Sequence, residues 1–291
     1  MNSNRLAATT SIGAVHLQVS DLQRSLSFYR DLLGFRVIRS EGLDAWLSAA
    51  GEEPDLIRLT ELAGAGRPPP RATGLFHVAY RAPGRAALGR WLRRLLDTKT
   101  TLQGASDHGV SEALYLADPD GLGVELYRDR PRDRWPFRGE YVAMVSEHLD
   151  TADLLAQGEG RRWDGADPAG DIGHVHLCVS SLEGAETFSV DTLGFDIMQR
   201  DFPGALFLAA GGYHHHLGAN IWRSADAAPA PEDVSRLVNY TLGMSSARDA
   251  AAVRARLETA GAPVEENARG IGTRDNDGMT LIVRVSRKGV E

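Results

Sequence analysis

The side chains best suited to chemistry in this chain are a few histidines and one glutamate carried on repeated, strand-like segments. Of the nine histidines, His16, His77, His174 and His176 stand at matching places of a repeat. At one equivalent position in four successive units the residues are Ala14, His77, His174 and Asn239, so only the second and third units supply imidazole there. Near the end of each unit's last strand the matching residues are read as Leu59, Glu125, Asn220 and Ile282, and only Glu125 is a carboxylate. Two imidazoles and one carboxylate projecting from rigid strands form the facial donor set that leaves open positions on non-haem Fe(II). Mn(II) suits the same set, and His2Glu also holds zinc in hydrolytic sites, so donor type alone does not choose the metal.

Other candidates cluster near these three. Tyr115 lies ten positions before Glu125, and an even separation puts both on one face if the turn at Pro119 to Gly121 keeps register. His108 precedes Tyr115 by seven positions. In the run Tyr213-His214-His215-His216, strand alternation places His214 and His216 on the side of Asn220 and His215 on the other. An imidazole with its ordinary pKa of about 6.5 can take and return a proton near neutrality. His16 and His176 match each other, and His16 belongs to a unit without metal donors, so both read as structural or pocket-lining. Asp118 and Asp120 read as turn builders, since Asp-Pro and Asp-Gly are turn dipeptides. His148 falls in a linker and takes no role, and Pro68-Pro69-Pro70 reads as a spacer.

The elements that must position these residues follow from internal repetition. The segment IGAVHLQVSDLQRSLSFYRDLLGF, from Ile12 to Phe35, returns 160 positions later as IGHVHLCVSSLEGAETFSVDTLGF, from Ile172 to Phe195. Alternation around Val15, Leu17 and Val19, and around Val175, Leu177 and Val179, has the period of a half-buried strand. Leu22, Leu26, Tyr29 and Leu33 then recur at helical spacing, with Ser20 as the expected N-cap and Gly34 ending the helix. A more diverged pair begins at GLFHVAY (Gly74) and at RLVNYTL (Arg236), with helices expected over Ala86–Leu96 and Asp249–Ala260. The chain is therefore α+β, with four βαβββ units at about 11–62, 73–130, 171–224 and 235–287. The first two make an N-terminal half (1–130) and the last two a C-terminal half (171–291), joined by a linker (131–170) with a helix expected near Val142 to Leu155. One unit cannot bury its own sheet face, so units should pair into two incompletely closed eight-stranded barrels, each with a concave pocket.

Composition bounds the partners. The 291 residues are 43% hydrophobic and 24% charged, the make-up of a globular chain. A net charge of −7 and the lack of any Lys/Arg-rich run argue against nucleic acid or an anionic membrane as partner. No stretch approaches the ~20 apolar residues of a membrane span and Met1 to Thr10 offers no signal peptide, so a cytoplasmic location is expected by default. The single cysteine, Cys178, excludes an intrachain disulfide and a Cys-rich metal site, so any metal must be held by His and carboxylate.

The repeated V-x-L-x-V-S-x-L opening, the L-G-F that closes it and the run D-P-D-G-L-G-V-E-L-Y from Asp118 to Tyr127 resemble the vicinal-oxygen-chelate superfamily of glyoxalases, bleomycin-resistance proteins and type I extradiol dioxygenases. The resemblance covers nearly the whole chain. Within the superfamily, D-H-G-V-S-E-A-L-Y-L-A-D-P-D-G at Asp107 and A-G-G-Y-H-H-H-L-G-A-N-I-W at Ala210 are most similar to Bacillus-type catechol-2,3-dioxygenases. The resemblance implies metal ligation by His77, His174 and Glu125, and Fe(II) as the metal, with Mn(II) an alternative. It implies a hydrogen-bonding role for Tyr115, and His108 near the bound oxygens at a spacing two residues short. It gives the acid–base role to His216, followed by L-G-A-N. His214, His176, Tyr213 and Asn220 remain candidates for the pocket wall. In familiar extradiol enzymes the ligands come from the third and fourth units. Here they fall in the second and third, so unit two should pair with unit three and unit one with unit four; any other pairing splits the triad unless subunits exchange units.

The implied reaction is extradiol cleavage of a catechol-type substrate by O2, and homo-oligomerisation through open sheet edges is compatible with the fold. Two other readings compete. A glyoxalase-like isomerase or lyase generally brings a second metal carboxylate, whereas Asn220 is read at that place. A metal-free protein that sequesters an aromatic drug has no need of converging His77, Glu125 and His174.

Overall fold

The computed structural model describes residues 5–160 and 162–285. Unit one runs β1 (Ser11–Val19), α1 (Leu22–Leu26) continuing through a π-helical turn at Ser27–Leu32, β2 (Arg36–Glu41), β3 (Asp44–Ser48) and β4 (Ile57–Glu61). Unit two runs β5 (Gly74–Arg81), α2 (Arg85–Asp97), β6 (Gly104–Asp107), β7 (Ser111–Ala117) and β8 (Gly123–Asp129). The connection between the halves holds β9 (Phe137–Arg138), β10 (Tyr141–Val142), β11 (Glu147–His148) and α3 (Thr151–Gln157). Unit three runs β12 (Asp171–Cys178), α4 (Leu182–Glu186) extended to Leu193, β13 (Asp196–Gln199), β14 (Ala205–Ala209) and β15 (Leu217–Asn220). Unit four runs β16 (Arg236–Met244), α5 (Ala247–Thr259), β17 (Glu265–Asn267), β18 (Gly270–Arg274) and β19 (Thr280–Val285).

Units pair as the donor positions required. One curled sheet has the order β17-β18-β19-β16-β1-β4-β3-β2 and joins units four and one; the other, β11-β6-β7-β8-β5-β12-β15-β14-β13, joins units two and three. The antiparallel contacts β1–β16 and β5–β12 are the seams. On β1, Val15, Leu17 and Val19 enter the shared core while Ala14, His16 and Gln18 stay half-buried on the concave side. Each such Val or Leu contributes roughly 1.5–3 kcal/mol of burial. β12 departs from the half-buried expectation: Ile172 to Cys178 is buried on both faces, because its concave side is filled with histidines.

Two local expectations change. Asp21, not Ser20, caps α1 by accepting from Arg24 N. Ser20 instead reaches across to the other sheet, its N and Oγ donating to Asp120 Oδ2 (3.0 Å) and Oδ1 (2.6 Å). The equivalent Ser180 N donates to Asp277 Oδ2 at 3.0 Å, so the two Asp-rich turns clamp the sheets reciprocally. The linker helix is also shorter than expected, covering only Thr151–Gln157, and the segment before it is extended rather than helical.

That extended segment closes the second sheet. β11 adds to the β6 edge through Glu147 opposite Asp107, while Gln199, at the end of the far edge strand, grips Met144 from both sides (Met144 N to Oε1 3.1 Å, Nε2 to Met144 O 3.3 Å). Trp135, Val142 and Met144 pack there against Met198 and Phe207. The linker thus bridges the gap that an open barrel leaves. No helix among the described residues is long and apolar enough to cross a membrane.

Candidate metal centre

Strand register alone brings the three donors together. β8 runs parallel to β5 with Glu125 opposite Ala79, and β12 crosses β5 with His174 opposite the same Ala79. The row across three strands is therefore Glu125, Ala79, His174, and the fully buried alanine methyl leaves the space between them open. His77, two residues before Ala79 on the same face, leans into it. The ligand atoms of His77, Glu125 and His174 all lie within 4.8 Å of one another, and all three residues are buried. His77 Nε2 is 2.9 Å and His174 Nε2 3.1 Å from Glu125 Oε2.

The electrostatics suit a cation. Burial works against the Glu125 charge, but His174 and His77 outweigh it and hold the carboxyl well below its usual range. Burial takes His174 down to about 4 against the pull of Glu125, so at neutral pH its ring is uncharged and can offer a lone pair. His77 Nε2, although close to Glu125, is buried without a hydrogen-bond partner. A buried anion flanked by two imidazoles, each with a nitrogen lacking a hydrogen-bond partner (His77 Nε2 and His174 Nδ1), is the donor chemistry that a dication completes.

Tyr115 is the direct cross-strand partner of Glu125, so the turn between β7 and β8 keeps register. Burial, with the Glu125 charge adding, raises its hydroxyl well above the usual range. His108 Nε2 lies 2.7 Å from the Tyr115 hydroxyl and its Nδ1 2.6 Å from the Val145 carbonyl. A carbonyl only accepts, so Nδ1 carries the hydrogen, and in the neutral ring Nε2 accepts from Tyr115. A cavity of about 350 Å³ opens over His77 and Glu125, with Tyr115, His108, His176 and His215 also on its wall, Phe76, Phe207 and Trp222 beside them, Arg223 also lining it, and Met144 to Ser146 of the linker over it; His174 is buried behind that wall.

The histidine run is sorted differently from the expectation. His215 lines the cavity, its ring centroid 4.0 Å from that of His174, whereas His214 and His216 do not line it. His216 Nδ1 accepts from Ala210 N at 3.2 Å and its ring lies against Tyr213. Alternation fails because the strand begins only at Leu217; before it Gly211 and Gly212 turn the chain at φ +62° and +66°. Tyr213 and Asn220 also lie off the cavity wall: Tyr213 bonds Tyr127 and Asp129, and the fully buried Asn220 accepts from Trp222 N. His176 does line the cavity.

His215 is backed by a chain that sets its tautomer. Asp129 Oδ1 lies 2.8 Å from His214 Nε2, and His214 Nδ1 lies 2.8 Å from His215 Nδ1. Burial opposes the Asp129 charge, but His214 and Arg81 hold its carboxyl below the usual range, so it accepts. With a neutral His214 ring, its Nε2 donates and its Nδ1 accepts, so His215 Nδ1 donates and His215 Nε2 keeps the lone pair. Burial, with neighbouring histidines adding, holds His215 well below its ordinary pKa. Asp129 was legible in principle, since Glu125, Tyr127 and Asp129 alternate on β8. Phe76, Phe207, Trp222, Arg223 and the linker residues gave no such signal.

The ladders also correct the repeat alignment. Pairings of Ala79 with Glu125, His16 with Arg58, His176 with Gly218 and Thr241 with Ile282 make Arg58, Gly218 and Ile282 the equivalents of Glu125, in place of Leu59 and Asn220 for the first two. Neither Gly218 nor Asn220 is a carboxylate, so the second acidic ligand of a glyoxalase-like site is missing on either alignment. Glycine at 218 makes room for a histidine, since a Cβ there would lie 2.8 Å from His176 Cγ.

A His-His-Glu cluster that could hold a metal, carried on curled, paired βαβββ sheets, fits a known class. Residues 11–126 match the Glyoxalase/Bleomycin resistance protein/Dioxygenase superfamily. Over 270 residues the chain is 40% identical to the catechol-2,3-dioxygenase of Bacillus subtilis (strain 168), covering 91% of this chain and 94% of that protein. It is 29% identical over 130 residues to an iron-dependent extradiol dioxygenase of Rhodococcus jostii (strain RHA1), covering 40% of this chain and 42% of that protein. A solved structure from Bacillus subtilis superposes with a TM-score of 0.63 at 14% identity, over 96% of this chain and 86% of that one, a likeness of fold. The chain belongs to the catechol-2,3-dioxygenase family of that superfamily.

Proposed function

We propose that the protein is an extradiol dioxygenase that holds Fe(II) on His77, His174 and Glu125 and opens the ring of a catechol-type substrate with O2. The observation that carries this reading is the convergence of two strand-borne imidazoles and one carboxylate at a single buried point under a ring-sized cavity. The reaction is supported by the name of the Bacillus relative, and iron by that of the Rhodococcus relative. When bound, the ion would draw the two vicinal oxygens of the diol and dioxygen to adjacent positions and lower the cost of the charge they develop.

The remaining work falls to the chain. Phe76, Phe207 and Trp222 give the ring an apolar wall and displace water, so polar groups act in a low dielectric. His215 Nε2, with its lone pair presented, takes a proton from the entering diol and returns it to oxygen later, and Asp129 through His214 stabilises the imidazolium in between. Tyr115, its own hydrogen given to His108, accepts a hydrogen bond from the second diol hydroxyl. His176 lines the wall beside His77.

Anaerobic reconstitution with Fe(II), followed by catechol and air, tests the assignment. A yellow ring-fission product with one O2 consumed per catechol is expected. Stoichiometric metal without O2 uptake from any dihydroxylated ring would refute it.

A further inference from the structure

The sheet built from units one and four carries a second cavity on its concave side, about 290 Å³ against about 350 Å³ at the metal centre. By repeat equivalence it stands where a second metal centre would. Ala14 and Asn239 occupy the places of His77 and His174, Arg58 and Ile282 that of Glu125, and all four line this cavity. The donor set for a cation is gone, and one of the carboxylate places now holds a guanidinium.

The charge of the wall is the reverse of that at the metal centre. Among the charged side chains lining it, Arg39, Arg58, Arg269 and Arg284 face a single carboxylate, Asp55. Asp44 holds Arg58 in place, accepting from its Nε at 3.0 Å and Nη2 at 2.9 Å, and Glu41 comes no nearer than 4.0 Å to Arg39, from an exposed position. The floor is polar and ordered. Thr60 donates to Asp44, so His16 Nε2 donates to Thr60 Oγ1 at 2.7 Å and His16 Nδ1 accepts from Asn239 Nδ2 at 3.3 Å. Burial, reinforced first by Arg58 and then by Arg269, takes His16 down to about 3, so this ring is uncharged at neutral pH. Trp46 supplies an aromatic wall, with the guanidinium carbons of Arg39 and Arg58 at 4.1 and 5.1 Å from its ring centroid.

We propose that this cavity binds a small aromatic carboxylate, its anionic group held by Arg39, Arg58 and Arg284 and its ring lodged beside Trp46. Guanidinium groups pair with carboxylates through charge-assisted, often bidentate hydrogen bonds, and the partly enclosed wall limits screening. The same arginines exclude a metal ion. The site is separate from the metal centre and does not depend on the reaction proposed there.

The test is titration of the full-length, metal-loaded protein with benzoate, read by calorimetry and by quenching of tryptophan fluorescence. Saturable binding is expected, weakened at least about tenfold in R39Q/R284Q. Glu125→Gln should leave it unchanged. In Trp46→Phe the calorimetric signal should persist while the quenching disappears, which locates the ligand without relying on the arginine variants. No saturable binding up to about 10 mM overturns the proposal. So does binding that is lost in Glu125→Gln but kept in R39Q/R284Q, since the benzoate would then occupy the metal-centre cavity.

Discussion

The His215 ring lies against the His174 ring at a centroid separation of 4.0 Å, which puts the only cavity-facing member of the triple histidine beside a proposed metal donor. From this contact follows a choice between neighbours. His215→Ala should keep iron but lose turnover by about 10²-fold or more, whereas His216→Ala should cost far less in turnover and act through stability. Steady-state O2 uptake with metal analysis of each variant decides it, and a larger loss of kcat in His216→Ala would reverse the assignment.

Asp129→Asn tests the chain behind His215. An amide can donate to His214 Nε2 and so favour the wrong tautomer, and kcat should fall by about 10- to 100-fold at unchanged iron content. Because Asp129 also pairs with Arg81 at 2.9 Å, Arg81→Gln serves as the control for structural loss. Equal kinetics in Asp129→Asn and Arg81→Gln would show that the tautomer does not matter.

Glu125→Ala removes the one anion of the donor set. Iron affinity should drop by more than about 10²-fold while the fold persists, as read by metal content after gel filtration and by circular dichroism. Retention of one iron per chain would move the centre elsewhere.

Gly218→Ala places a methyl carbon 2.8 Å from His176 Cγ in a packed wall. Overpacking of this kind costs about 1–3 kcal/mol, so denaturant unfolding should show a lower midpoint at unchanged slope. A midpoint equal to that of the parent would mean that His176 has room to turn.

Acid should destabilise the metal-free protein earlier than ordinary carboxylate titration would. His16 and His216 are held to about 3 and His174 to about 4, all below the unfolded value of 6.5. Between those limits the unfolded chain binds more protons, so stability is full above pH ~6.5 and falls as pH drops towards 4. Asp118, raised to about 7, and Asp275, raised to about 6, work the other way, since the folded state binds their protons and loses stability as pH rises through those values. With His176 and His215 also held well below their ordinary value, the histidines outnumber them. The melting temperature should fall steadily from pH 6.5 to 4.5; a flat profile over that range would contradict the buried neutral rings.

While the expectation that unit two pairs with unit three came from the family resemblance, the sequence by itself determined the four units, the two imidazole positions, and Glu125 with Tyr115 on one face. These are matters of local period and of which residue types recur, and a strand's alternation carries them faithfully. Tertiary structure decided what alternation cannot reach. The Gly211–Gly212 turn rotates the histidine run and brings forward His215. Inter-strand ladders, not spacing, make Gly218 and Arg58 the counterparts of Glu125. Gln199 pulls the linker over the cavity through the Met144 backbone. Each depends on where one backbone meets another far away in the chain, and hydrogen-bond register between distant strands leaves no trace in the order of residues along any one of them.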